Sequence, residues 1–250
     1  MSFNFGYRSL STNLLFCMDA ANIKCYPQTG RTLSDLAKND QGSLDFITPN
    51  SIQWSSNNYG YFDFPNNNAH IGFTGLLPQT IKPQPPITIE AWFQVYSGTT
   101  DFTSIVNIDG LSVGSSQYRG FNIGISPVTS GLYYIGAAYG TAAGSGINNR
   151  RNLDTDKVYP INTWKHVVAV LNIGLSMNLY IDGLSVTGTT SGNASFLGYG
   201  TTGFLQLGKV GGGNPQYLSG RIATAKVYNI AFTAEQALES YNSTKYRFGL

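Results

Sequence analysis

The chain has 250 residues and a formal net charge of +2. Only 11% of its residues are charged, against about 25% in an average globular protein, while 42% are hydrophobic and Gly, Tyr and Phe number 29, 16 and 14. Such a chain is too rich in aromatics for disorder, and its one adjacent basic pair, Arg150-Arg151, is followed by Asp154 and Asp156 rather than extended into the basic stripe of a nucleic-acid-binding protein.

No apolar run reaches the 18 or so residues of a membrane span. The start, Met1-Ser2-Phe3-Asn4-Phe5-Gly6-Tyr7-Arg8, has no charged-then-apolar order, so no signal peptide and no membrane insertion are expected. Cys17 and Cys25 are too few for a disulfide framework. A single bridge between them stays open, and Cys17 also reads as a small buried hydrophobe within an apolar run.

In chain order, residues 1–12 read as an arm whose Phe3, Phe5 and Tyr7 dock on the protein's own domain or on a neighbouring subunit. Residues 13–250 read as one domain. Leu14–Asp19 is an apolar strand ending at an acid, and Tyr26-Pro27-Gln28-Thr29-Gly30 is a turn. Strands are expected at 52–54, at 60–64 (where Phe62 and Phe64 face inward and Asp63 outward) and at 70–71. A proline-rich connector, 78–86, precedes the alternating strand 87–95, whose second face carries Glu90 and Trp92.

Further strands are expected at 104–108, 120–125 and 132–138, followed by a long loop at 139–157. Trp164–Leu171 is apolar on both faces, so it needs a cover on each side. The next strand ends at Asp182-Gly183, a hairpin signal. Residues 87–95 and 218–228 are the expected cover. Phe204–Gly208 and 218–228 are strands around a loop at 209–217, and Thr233 with Gln236 forms a capping box for a helix over 234–241.

Several of these segments together resemble the phage-encoded laminin-G-like, concanavalin A-like domains. They are Asp19-Ala20-Ala21-Asn22, Tyr26-Pro27, Asp35-Leu36, Thr88-Ile89-Glu90-Ala91-Trp92, Gly220-Arg221-Ile222, Val227-Tyr228 and the closing helix. The tail from Tyr241 through Lys245, Arg247 and Phe248 to Leu250 resembles the end of many phage virion proteins. The chain departs from the pattern at Cys25, at Ala37-Lys38 and at Asn66-Asn67-Asn68, where acidic loop groups are missing. The resemblance implies an all-β, concanavalin A-like jelly-roll sandwich of two antiparallel sheets with a short C-terminal helix.

The related glucanases place acids at alternate positions of one strand. Beside Glu90 those positions hold Thr88, Trp92 and Gln94, so catalysis of that kind is not expected and Glu90 reads as an acid held by hydroxyls or an arginine. His166 sits between apolar residues and reads as structural; no nucleophile elbow occurs. No cofactor is expected. Calcium, which relatives bind at a loop edge, would draw on Asp19, Asp35 and Asp63, although short acids also cap turns. Tyr139, Tyr199 and Tyr217, with Asn214, lie in Gly-rich stretches and are candidates for carbohydrate or subunit contact.

The leading expectation is therefore a non-enzymatic structural protein of a tailed-phage virion, on the capsid or tail. It would contact other virion proteins and assemble as a homo-oligomer. The alternative is a lectin-like adhesin binding host-surface glycans; a glycan-degrading enzyme is disfavoured by the missing acid pair.

Overall fold

The computed structural model describes residues 13–37, 44–47, 52–65, 69–73, 82–99, 101–109, 117–128, 131–144, 146–200, 205–210 and 216–250. The arm residues Phe3, Phe5 and Tyr7, the triplet Asn66–Asn68, and Asn214 lie outside the described residues.

The first strands are β1 (Leu14–Asp19), β2 (Thr32–Leu33), β3 (Leu44–Ile47), β4 (Gln53–Ser55), β5 (Tyr61–Phe64), β6 (His70–Phe73) and β7 (Ile87–Val95). The middle of the chain forms β8 (Thr103–Ile108), β9 (Arg119–Val128), β10 (Leu132–Thr141), β11 (Arg150–Thr155), β12 (Tyr159–Pro160), β13 (Trp164–Leu171) and β14 (Met177–Ile181). Then come β15 (Leu184–Ser185), β16 (Gly188–Gly192), β17 (Leu205–Leu207), β18 (Lys209–Val210), β19 (Gln216–Tyr217), β20 (Gly220–Tyr228) and helix α1 (Ala234–Thr244). A 3-10 turn, Lys245–Phe248, closes the chain.

Among the described residues, eight strands form one antiparallel sheet in the order β15-β14-β13-β7-β20-β5-β4, with β1 also against β20. Ten form the other, β16-β11-β10-β9-β8-β17-β6-β3-β2, with β12 against β10. This is the expected jelly-roll sandwich. Its core lies between the sheets: Ile87, Ile89, Ala91, Phe93, Val167, Ala169 and Leu171 from the smaller one meet Phe121, Ile123, Ile125, Ile135, Leu205 and Leu207 from the larger. At about 25 cal/mol per Å² of apolar area removed from water, this contact is the main favourable term in folding.

Three expectations are corrected. Residues 87–95 and 218–228 do not cover Trp164–Leu171 but run in the same sheet, the first beside it with Val167 opposite Ala91 and the second beyond that with Ala91 opposite Ala225. The larger sheet covers one face. On the other, Trp164, Val168, Val170, Trp92 and Tyr228 of this sheet pack with Phe232, Ala237, Tyr241 and Phe248, so α1 and the tail are the second cover. The loop expected over 139–157 is mostly a hairpin, with β10 running to Thr141 and β11 starting at Arg150. The third concerns 209–217, whose ends pair as β18 and β19, Lys209 opposite Tyr217; residues 211–215 between them lie outside the described residues.

Local signals fare well. Asp182 and Gly183 both have positive φ, 53° and 79°, as the tight turn between β14 and β15 demands. Thr233 Oγ1 accepts a hydrogen bond from the Gln236 amide and Gln236 Oε1 accepts one from Thr233 N–H, so the capping box is made; α1 runs three residues beyond Tyr241. Cys17 and Cys25 are both free and buried, and burial pushes the Cys25 thiol up to about 12. No helix among the described residues is long and apolar enough to cross a membrane.

Candidate functional site

Glu90, the acid the sequence placed mid-sheet, lies under α1 and is wholly buried. Its Oε1 accepts from Lys226 Nζ at 2.8 Å and Ser240 Oγ at 2.9 Å, with His166 Nε2 at 3.3 Å; its Oε2 accepts from Tyr228 OH at 3.2 Å. Burial by itself pushes a carboxyl up, but here the Lys226 ammonium, with His166 beside it, wins and holds Glu90 well below the usual carboxylate range. The hydroxyls were anticipated; the cation is a lysine rather than an arginine. The group is sealed and serves to tie α1 to the smaller sheet.

The aspartates considered for calcium have separate partners. Asp19 is paired with the fork of Arg247, with contacts of 3.1 and 3.3 Å, and accepts from the Ala21 amide at 2.9 Å. Asp35 Oδ1 accepts from the Cys17 and Ala37 amides as a turn cap. Asp63 Oδ2 accepts from Tyr96 OH and Arg221 Nε. Among the described residues no three His, Cys, Asp or Glu side chains are grouped so as to hold a metal ion.

The tyrosines divide. Tyr139 is a correction: it belongs to β10 and faces the core at 2% exposure, its OH donating to Ala194 O at 2.8 Å. Alternation along β10 turned inward a residue that its Gly-rich neighbours made look like a loop tyrosine. Tyr199 is also held, donating to Pro83 O at 2.7 Å, and burial raises its phenol above the ordinary range. Tyr217, half-buried on β19, has its ring 5.9 Å from that of His70 and Lys209 Nζ 5.5 Å from its centroid.

The outward face of the larger sheet is the most distinctive polar surface. Because Ile71, Leu205, Leu207, Val106, Ile108, Phe121, Ile123, Ala137 and Leu153 point to the core, the residues alternating with them point away. The register aligns those residues in one line: Gly72, Gln206, Asn107, Asn122, Ala138, Asn152 and Ser191 stand opposite one another in turn. The line crosses β6, β17, β8, β9, β10, β11 and β16, six spacings of about 4.8 Å, or about 29 Å. A second line beside it runs Ser104, Gly124, Gly136, Asp154 and Thr189.

Gly and Ala positions make parts of this floor low. The ring of Phe102 lies over Gly124, and the Asp154 carboxylate lies over Gly136. Arg150 Nη1 donates to Tyr118 OH at 3.0 Å, with the guanidinium 5.0 Å from the tyrosine ring centroid. Asn107 is 1% exposed, yet neither its amide nitrogen nor its oxygen has a hydrogen-bond partner; the buried side-chain oxygens of Asn122 and Ser104 also lack one. Each such group costs about 1–3 kcal/mol unless something completes it. Nothing in the sequence marked these residues. Each strand reads as an ordinary half-polar strand, and only the register joins them.

At the end of β8, Asp109 is buried with Gly200 N–H donating to its Oδ2, Arg119 Nη2 3.9 Å from its Oδ1, and Lys82 Nζ donating to Gly200 O at 2.6 Å. Burial outweighs these partners and lifts Asp109 to about 6. The proton it prefers in the folded state stabilises the fold below about pH 4, and that contribution disappears as pH rises through 6. Asp109→Asn should therefore remove a loss of up to about 3 kcal/mol between pH 4 and 7. Urea unfolding at both pH values checks this; an unchanged pH dependence would refute it.

Residues 56–237 match the concanavalin A-like lectin/glucanases superfamily. No curated protein matches the chain. Among solved structures, the binding domain of botulinum neurotoxin serotype D superposes with a TM-score of 0.63 at 12% identity, covering 94% of this chain and 53% of that one. The binding domain of Paraclostridial Mosquitocidal Protein 1 gives 0.64 at 17%, with coverages of 94% and 53%. Domain 4 of AbnA, an extracellular arabinanase from Geobacillus stearothermophilus in complex with arabinotriose, gives 0.56 at 16%, with coverages of 92% and 98%. The chain thus spans about half the length of the two toxin domains; at these identities the likeness is one of fold.

Proposed function

This chain belongs to the concanavalin A-like lectin/glucanases superfamily, and on that premise we propose that it is a non-catalytic carbohydrate-binding domain whose ligand lies along the outward face of the larger sheet. The observation that carries the reading is the line Gln206, Asn107, Asn122 and Asn152, with the buried Asn107 amide lacking partners. Sugar hydroxyls donate and accept, and a carboxamide offers two donors and an acceptor without carrying charge. The small side chain of the half-buried Ala138, opposite Asn122 in that line, leaves room for a sugar ring. The arabinanase domain with arabinotriose supports the reading by analogy of fold.

The usual glycoside hydrolase places two carboxyl groups about 5–10 Å apart at the sugar; the centre of this line offers amides, and Glu90 is neutralised under α1. The test is a glycan array followed by calorimetry on the hits. Asn122→Ala and Asn152→Ala should each weaken binding at least about tenfold, since each removes a hydrogen bond and leaves a sugar hydroxyl unpaired. An array without hits, or wild-type affinity in both variants, would overturn the proposal.

The second reading places the domain on a tailed-phage particle, as a homo-oligomer among other virion proteins that contacts host glycans. It is favoured by the tail sequence from Tyr241 to Leu250. Arg247 and Phe248 of that tail also have folding roles against Asp19 and Trp92, which account for them without a particle, so carbohydrate binding comes first. Mass spectrometry of purified particles lacking this protein would end the second reading.

A further inference from the structure

His70 stands on β6 with its side chain on the outward face: its Cδ2 lies 3.6 Å from the position a Cβ on Gly72 would take, and Gln206 Cγ lies 3.8 Å from the same point. It therefore borders the Gln206 end of the polar line. His70 is 6% exposed, and its Nδ1 has no hydrogen-bond partner. Tyr217 lies beside it, and Lys209 reaches over the Tyr217 ring.

The register sets one acid, Asp45 of β3, opposite Gly72 at this end of the line. Among the described residues no carboxylate pairs with Lys209; the nearby acid Asp101 is taken by Gln216 Nε2 at 2.7 Å and the Phe102 amide. Burial pulls the Lys209 ammonium below its usual range, and burial together with Lys209 lowers His70 to about 3. A half-buried cation and a buried imidazole with an unused nitrogen, next to an aromatic ring, would be completed by one anionic group. The anion would pair with Lys209 and accept from an imidazole N–H, while the Tyr217 ring packs against the apolar side of the molecule that carries it.

We propose that Lys209, His70 and Tyr217 form an anion subsite at the Gln206 end of the polar line, reading a carboxylate or sulfate ester on an acidic sugar. The inference rests on the carbohydrate reading for the sugar, but the anion site itself can be measured separately. It narrows the ligand from glycans in general to acidic ones.

The chain has two histidines, and His166 is sealed beside Glu90, so the His70 imidazole signal is assignable by NMR from its loss in His70→Gln. At pH 6.5, trigalacturonate, a sulfated galactose trisaccharide, neutral galactotriose and sodium sulfate would each be titrated into the protein. The expected result is that one acidic trisaccharide moves the His70 resonance and binds at least tenfold more tightly than galactotriose, the preferred one telling carboxylate from sulfate ester. Lys209→Met should abolish that preference and leave galactotriose binding unchanged.

A His70 signal indifferent to every anion, or an acidic preference that survives Lys209→Met, would overturn the proposal. Failure of the carbohydrate reading looks different: sodium sulfate would still move His70 in a Lys209-dependent way while none of the sugars binds better than sulfate.

Discussion

Glu90→Ala is expected to destabilise the domain by about 3–5 kcal/mol, the usual loss when one partner of a buried ion pair is removed. Lys226 would remain buried beside the hydroxyls of Tyr228 and Ser240, each having lost the Glu90 carboxylate as an acceptor. For a chain of this size the loss corresponds to a fall in Tm of roughly 10 °C. The double variant Glu90→Leu with Lys226→Met should recover most of it, because the desolvation of both charges disappears together. Chemical denaturation of the two variants decides the matter. Equal instability in both would mean that packing under α1, and not charge pairing, is what Glu90 supplies.

Phe248→Ala is expected to destabilise by about 3–4 kcal/mol, in the range of large-to-small aromatic substitutions in cores. Phe248 stacks on Trp92 at 4.1 Å between ring centroids and lies 4.6 Å from the ring of Trp164. Its removal would admit water to both indoles, so tryptophan emission should shift to the red in the folded protein. Arg247→Met should cost a similar amount for a different reason, because Asp19 would be left buried without its guanidinium. A Phe248→Ala protein with unchanged emission and stability would show that the tail does not serve as a cover for the smaller sheet.

The two predictions concern one contact, that of the C-terminal segment with the smaller sheet, and this contact shows where reading from sequence stops. Trp164–Leu171 announced that both of its faces are covered, since its residues are apolar at odd and even positions alike. It could not say by what. Residues 87–95 and 220–228 have the same alternation whether they lie above that strand or beside it, because hydrophobic pattern reports burial and not direction. The helix that provides the cover is amphipathic only weakly: Ala237 is its one fully buried residue. Its attachment comes from Ser240 on Glu90 and from the aromatic tail.

Tyr139, Tyr199 and Tyr217 carry the same lesson for the candidate site. All three were chosen for Gly-rich surroundings. Tyr139 was turned inward by the period of β10 and Tyr199 was tied to Pro83. Only Tyr217 borders the polar face, through His70.

From the sequence came what depends on neighbours along the chain. The strand periods, the Asp182-Gly183 turn and the Thr233–Gln236 capping box follow from local sterics, two-residue alternation and short-range hydrogen bonds; the lack of acids alternating with Glu90 is plain from the residues, and the sandwich class is what the family resemblance implied. Tertiary structure decided the partner of Glu90, the roles of Asp19, Asp35 and Asp63, and above all the line from Gly72 to Ser191. Those depend on register between strands up to more than a hundred residues apart, and register is set by how two sheets and a helix pack together, a free energy that no single stretch of the chain contains.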